Sequence, residues 1–132
     1  MNPEELMLGN YVHPDHNDKT IVRVDDVNDK VIHFILPENR RDITGGHAGW
    51  HFADHIEPIK LTPEILEKIG FEKYGTPHFN LQQWVTKAGK RNVSIVQELT
   101  REGWCFKDIW FTYVHELQNL LRICKIDLQI VL

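Results

Sequence analysis

Leu61-Thr62-Pro63-Glu64-Ile65-Leu66-Glu67-Lys68-Ile69-Gly70 constrains this chain more than any other stretch. Thr62 offers a side-chain oxygen as N-cap, Pro63 suits the first helical position, Glu64 places an acid in the first turn, Lys68 comes late, and Gly70 is a stop. The segment reads as a two-turn helix facing inward through Ile65, Leu66 and Ile69. It lies near the middle of 132 residues and separates two parts of different character.

The part before it carries strand signals. Leu6 to Val12 leads into a polar turn at Pro14 to Lys19, and Thr20 to Val27 is rich in β-branched residues. Asn28-Asp29 between two apolar runs predicts a tight hairpin turn, followed by a strand at Ile32 to Leu36. The opening Gly9-Asn10-Tyr11-Val12, the charged turn and two short strands resemble the start of a small SH3-like barrel, an architecture that serves many functions. Pro37 to Gly49 reads as a loop, broken by Pro37, Asn39, Gly45 and Gly46, with a strand returning at Phe52 to Ile59.

Beyond the helix, Phe79 to Lys87 and Asn92 to Thr100 form a hairpin around Ala88-Gly89-Lys90, with a third strand at Trp104 to Asp108. Thr112 caps a helix to about Cys124. Ile126 to Val131 reads as a final strand whose apolar edge makes a homodimer plausible. The fold class is α+β: an SH3-like antiparallel β unit, a short helix, a β-meander, and an amphipathic helix with a final strand. Residues 1–132 read as one domain, with 1–60 a mostly β subregion and 61–132 an α+β subregion.

Composition narrows the functional classes. With 42% hydrophobic and 26% charged residues the chain is that of an ordinary globular protein, not a disordered one. Cys105 and Cys124 sit among apolar neighbours and read as reduced core residues of a cytoplasmic protein. The acidic start Met1-Asn2-Pro3-Glu4-Glu5 is unlike a secretory signal, and no apolar run reaches the roughly 20 residues that span a bilayer, so no membrane partner is expected. Residues 1–60 hold 11 acidic and 6 basic side chains, a net charge of −5, which disfavours wide contact with phosphate.

Four constellations invite a chemical reading. On the last helix His115, Gln118, Asn119 and Arg122 line one side opposite an apolar stripe, either as a solvated face or as an interaction surface for a protein partner. His115-Glu116 lacks the second His that a zinc protease helix needs at position 119, which is Asn. Lys87, Lys90 and Arg91 cluster at a hairpin tip, with Trp84 and Tyr74 nearby in sequence. Basic and aromatic groups together suit a nucleic-acid strand, although such tips also serve solubility. His47, His51 and His55 recur every four residues; strand alternation explains them without metal, and a His-lined metal site with hydrolytic activity is the weaker alternative.

No nucleophile elbow, phosphate-cradling glycine loop or dinucleotide fingerprint is present, so neither an enzyme nor a cofactor is expected. Three stretches together resemble a family of small uncharacterised proteins of gut bacteria and their prophages or mobile elements. They are Leu8-Gly9-Asn10-Tyr11-Val12, Pro58 to Lys73 (Pro-Ile-Lys-Leu-Thr-Pro-Glu-Ile-Leu-Glu-Lys-Ile-Gly-Phe-Glu-Lys), and Tyr113-Val114-His115-Glu116-Leu117-Gln118-Asn119-Leu120. The resemblance implies a short intracellular accessory protein and carries no catalytic residue. A helix end with a Gly turn is expected after Leu121, where this chain has Arg122-Ile123-Cys124-Lys125-Ile126. The expected function is a non-enzymatic interaction module; a weak nucleic-acid-binding accessory protein is the alternative.

Overall fold

A computed structural model describes residues 1–37, 40, 46–89 and 91–132. It is an α+β fold with two antiparallel five-stranded sheets, divided into two compact units, Met1–Ile59 and Lys60–Leu132. No helix among the described residues is long and apolar enough to cross a membrane.

In the first unit a 3-10 turn at Pro3–Glu5 precedes β1 (Tyr11–His13), β2 (Val22–Val27), β3 (Val31–Ile35) and β4 (Ala48–Phe52). A 3-10 turn at Ala53–His55 then leads to β5 (Glu57–Pro58), giving the sheet order β4-β3-β2-β1-β5. Alternation along β2 and β3 buries Val22, Val24, Ile32 and Phe34, which join Leu6, Val12, Leu36, Ala53 and Ile56 in one core. A bulge between Val24 and Asp26 interrupts the β2–β3 register.

The Leu8-Gly9-Asn10-Tyr11-Val12 motif has a structural purpose here. Gly9 takes φ +88°, and its N–H donates to the Val24 carbonyl at 2.8 Å. The buried Asn10 accepts the Met7 N–H on Oδ1 at 2.8 Å, which locks the approach to β1.

The expected strand Phe52 to Ile59 is instead β4, a 3-10 turn and the two-residue β5. In Ala48-Gly49-Trp50-His51-Phe52 only Trp50 and Phe52 favour a strand, and pairing with β3 holds Ala48 and Gly49 in it. Gly49, which reads as a breaker, pairs with Phe34: a Cβ there would sit 2.4 Å from the Phe34 ring.

The second unit contains α1 (Pro63–Lys68), β6 (Glu72–His78), β7 (Leu81–Ala88), β8 (Arg91–Glu98), β9 (Trp104–Phe106), β10 (Ile109–Phe111) and α2 (Val114–Ile123). Its sheet is a meander of order β10-β9-β8-β7-β6. The α1 signals act as read: Thr62 Oγ1 accepts the Ile65 N–H at 3.2 Å, and Gly70 at φ +103° ends the helix. Gly70 N–H donates to Glu67 O and Phe71 N–H to Leu66 O, both at 3.0 Å, and the side chains of Leu66 and Phe71 are buried.

Strands β6 and β10 escape the sequence reading. Their hairpins turn at Phe79-Asn80 (φ 50° and 62°) and Lys107-Asp108 (φ 48° and 65°), so both central residues are left-handed, as in a type I′ turn, without the usual Asn-Gly signature. Every residue of β6 is exposed, which removes the alternation that marks a strand.

The N-cap of α2 is Tyr113 rather than Thr112. The Glu116 carboxylate reaches back to accept the Tyr113 and Thr112 N–H groups at 3.1 and 3.3 Å. At the other end Lys125 at φ +56° takes the place of the expected Gly, with Lys125 N–H donating to Arg122 O and Ile126 N–H to Leu121 O. Ile126 to Val131 forms no strand, correcting that expectation. Ile126 and Ile130 are buried, while Val131 is exposed. Cys105 and Cys124 are free thiols, half-buried rather than core.

Candidate functional site

The β1–β2 loop, residues 14–21, is short, polar and heavily tied. Asp15 Oδ1 accepts the Asn17 N–H at 2.9 Å, while the Asp18 N–H donates to Asp15 O at 3.1 Å. The Asp18 carboxylate accepts the Thr20 N–H at 3.0 Å and Arg40 Nη1 at 2.5 Å. Hydrogen bonding from Thr20, followed by the Arg40 guanidinium, pulls its pKa down to about 2. Glu57 of β5 accepts Lys19 Nζ at 2.6 Å and pairs with His16 Nδ1 at 3.0 Å, and these two partners hold its carboxyl below the usual range. The loop is thereby fixed before any ligand arrives.

Opposite this loop, β4 ends and the 3-10 turn Ala53–His55 begins. The turn folds the chain back so that the His51 and His55 rings lie 4.3 Å apart. Asp15 Oδ2 faces both, at 3.3 Å from His51 Nε2 and 3.9 Å from His55 Nδ1. Pro14, Asp15, Asp18, Phe34, Trp50 and His51 are among the walls of a cleft of about 840 Å³ in this unit.

On the next face of β4, Trp50 and Phe52 stand 56% and 49% exposed, with ring centroids 5.6 Å apart and planes at 89°. Among the described residues β4 is the terminal strand of its sheet. Two aromatics packed edge to face are therefore displayed on a strand edge, beside a cleft that Trp50 also lines.

The candidate residues from the sequence fare differently. His115 is only 2% exposed, and its ring stacks 5.9 Å from Tyr113. The four-residue polar face is thus not a single solvent-facing strip: Gln118 and Asn119 are half-buried and only Arg122 is exposed. Lys87 and Arg91 are exposed beside the β7–β8 turn, while Lys90 lies outside the described residues. Trp84 is fully buried under Lys73 and cannot stack on a base, so it is removed from the proposed nucleic-acid tip.

Of the three spaced histidines, His51 and His55 come together, while His47 stays outside the cluster, its carbonyl accepting the Leu36 N–H at 2.6 Å. Strand alternation cannot account for them, because the strand stops at Phe52. Asp15, 36 positions before His51, carries no signal in the sequence beyond being an acid in a turn.

The Lys60–Leu132 unit has its own cavity of about 420 Å³, bordered by Lys60, Leu61, Glu98, Glu102 and Trp104. Its polar groups are paired with each other: Trp104 Nε1 donates to Leu61 O at 3.0 Å, Lys60 Nζ to Glu102 at 3.1 Å, and the Thr100 N–H to Glu98 at 3.0 Å. No family model, curated protein or solved structure matches the chain.

Proposed function

We propose that the protein is a non-enzymatic interaction module whose working surface is the β4 edge of the Met1–Ile59 unit, and that it takes an extended segment bearing Lys or Arg from a protein partner. The exposed pair Trp50 and Phe52 on a terminal strand carries this reading. A five-residue edge with two large aromatics is a hazard for unplanned pairing, and proteins otherwise blunt such edges with charge or proline. An added strand would gain main-chain hydrogen bonds from β4 and seat alternate side chains on the rings.

Charge selects the occupant. The net charge of −5 over residues 1–60, with Asp15 and Asp18 in the cleft wall, favours a cationic segment, and the Trp50 and Phe52 faces attract ammonium or guanidinium groups. The unit is read as an SH3-like barrel, supported by a four-strand meander, a 3-10 turn and a fifth strand returning to β1. The resemblance to small proteins of prophages and mobile elements points the same way, toward an accessory role.

Calorimetry with extended peptides that alternate Lys or Arg with Val, against the same peptides carrying Glu, tests this. The basic peptides bind and weaken as salt rises. Changing Trp50 and Phe52 together to Ala lowers their affinity about 10-fold or more, as for aromatic anchors of other interfaces. Equal binding of the Glu peptides, or an unchanged affinity in the double variant, overturns the proposal.

A further inference from the structure

We propose, beyond the peptide-binding reading and independently of it, that Asp15, His51 and His55 form a site for a divalent transition-metal ion of the zinc type. Asp15 Oδ2, His51 Nε2 and His55 Nδ1 are separated by 3.3, 3.9 and 3.4 Å. Three atoms at these spacings share a centre about 2.1 Å from each, which is the bond length of zinc to imidazole nitrogen and carboxylate oxygen. Two imidazoles and one carboxylate suit a borderline ion better than calcium or magnesium, which prefer all-oxygen shells.

The surroundings support the donors. Asp15 is held by its other oxygen, Oδ1, through the Asn17 N–H at 2.9 Å, so Oδ2 is left facing the rings. The remaining nitrogen of His55, Nε2, lies 4.0 Å from Oδ1 of the exposed Asp54, beyond hydrogen-bond distance. All three donors are partly open to solvent, with side-chain exposures of 32%, 30% and 46%, so an ion has an entry path. Three protein ligands leave a fourth position for water or a ligand group.

One hydrogen bond must yield. The Phe52 N–H donates to His51 Nδ1 at 2.9 Å, which assigns the ring proton of neutral His51 to Nε2, facing Asp15. Binding through Nε2 moves that proton to Nδ1 and releases the Phe52 N–H, so His51 stays neutral but changes tautomer. His55 binds through Nδ1 in the tautomer that carries its proton on Nε2.

The experiment is a titration of metal-free full-length protein with zinc chloride, followed by 15N spectra of the imidazoles and by thermal unfolding. The expected result is one zinc per chain, a His51 proton moved from Nε2 to Nδ1, and a Tm that rises with zinc concentration. Asp15→Asn or His55→Gln, each removing one of three ligands, weakens zinc by more than the about 10-fold that loss of an outer-sphere partner costs, whereas Asp54→Asn leaves uptake unchanged. Circular dichroism confirms that each variant is folded. Zinc uptake unchanged in folded Asp15→Asn and His55→Gln, uptake centred on His16 and Glu57, or no uptake at neutral pH overturns the proposal. Because His55→Gln leaves the Trp50 and Phe52 rings and the Asp15 and Asp18 carboxylates untouched, peptide binding measured in that variant keeps failure here distinguishable from failure of peptide binding.

Discussion

The two units solve the same problem, a five-stranded antiparallel sheet, by different means. In Lys60–Leu132 the strands are joined by local devices: tight hairpins link β6 to β7 and β9 to β10, β7 and β8 pair over eight residues, and both helices end in adjacent-residue caps, while Trp104 Nε1 on Leu61 O and Lys60 on Glu102 are its long-range side-chain links. In Met1–Ile59 the geometry is set at a distance, by Arg40 on Asp18, Lys19 and His16 on Glu57, and the histidines on Asp15. Local means leave the surface of a unit to be whatever the strands happen to present. Distant side-chain links fix a loop against a strand end, and they gather unlike chemical groups at one place. The candidate site lies in the second kind of structure.

The largest effect expected from breaking this contrast is in the locally built unit. Trp84 is fully buried, edge-on to Trp104 at 6.3 Å, and its Nε1 donates to Gln97 Oε1 at 3.0 Å. Trp84→Ala lowers stability by about 3–5 kcal/mol, measured by denaturant unfolding. In the other unit Gly49→Ala forces a Cβ into the Phe34 ring, which costs about 1–3 kcal/mol and displaces β4. Hydrogen exchange resolves the two cases: the first variant loses protection along β7 and β8, the second along β3 and β4.

A smaller effect sharpens the account of helix ends. Lys125 occupies a left-handed position that Gly adopts without strain, so Lys125→Gly raises stability by up to about 1 kcal/mol. Smallest is the pH response of the β1–β2 loop. The Asp18 carboxyl is lowered from 3.8 to about 2, so its contribution is complete above pH 3.8 and lost as pH falls toward 2. Carboxyl NMR of Asp18 follows that titration, and Arg40→Ala moves its midpoint upward.

This difference also explains what could be read in the sequence. Thr62, Pro63 and Gly70 specify α1 through contacts within a few residues, and the β7–β8 hairpin follows from alternation around Gly89. By contrast Ala48 and Gly49 of β4 are held in the strand by β3, and Lys125 does the work of a Gly because Leu121 and Ile126 are both buried across the helix end. His115 reads as a surface residue by helical spacing, yet it is buried at the first turn of α2. The candidate site was half legible: the spacing of His51 and His55 draws attention, but the 3-10 turn that joins them and the Asp15 that faces them arise from tertiary structure.

The measurement that bears most directly on the central claim is a backbone and indole NMR map of the full chain titrated with the Lys/Val peptide. Shifts are expected to concentrate on Ala48 to Phe52, the Trp50 indole and the loop residues Asp15 to Asp18. Shifts concentrated instead on α2 around Gln118 to Arg122, or at Lys87 and Arg91, would contradict that claim.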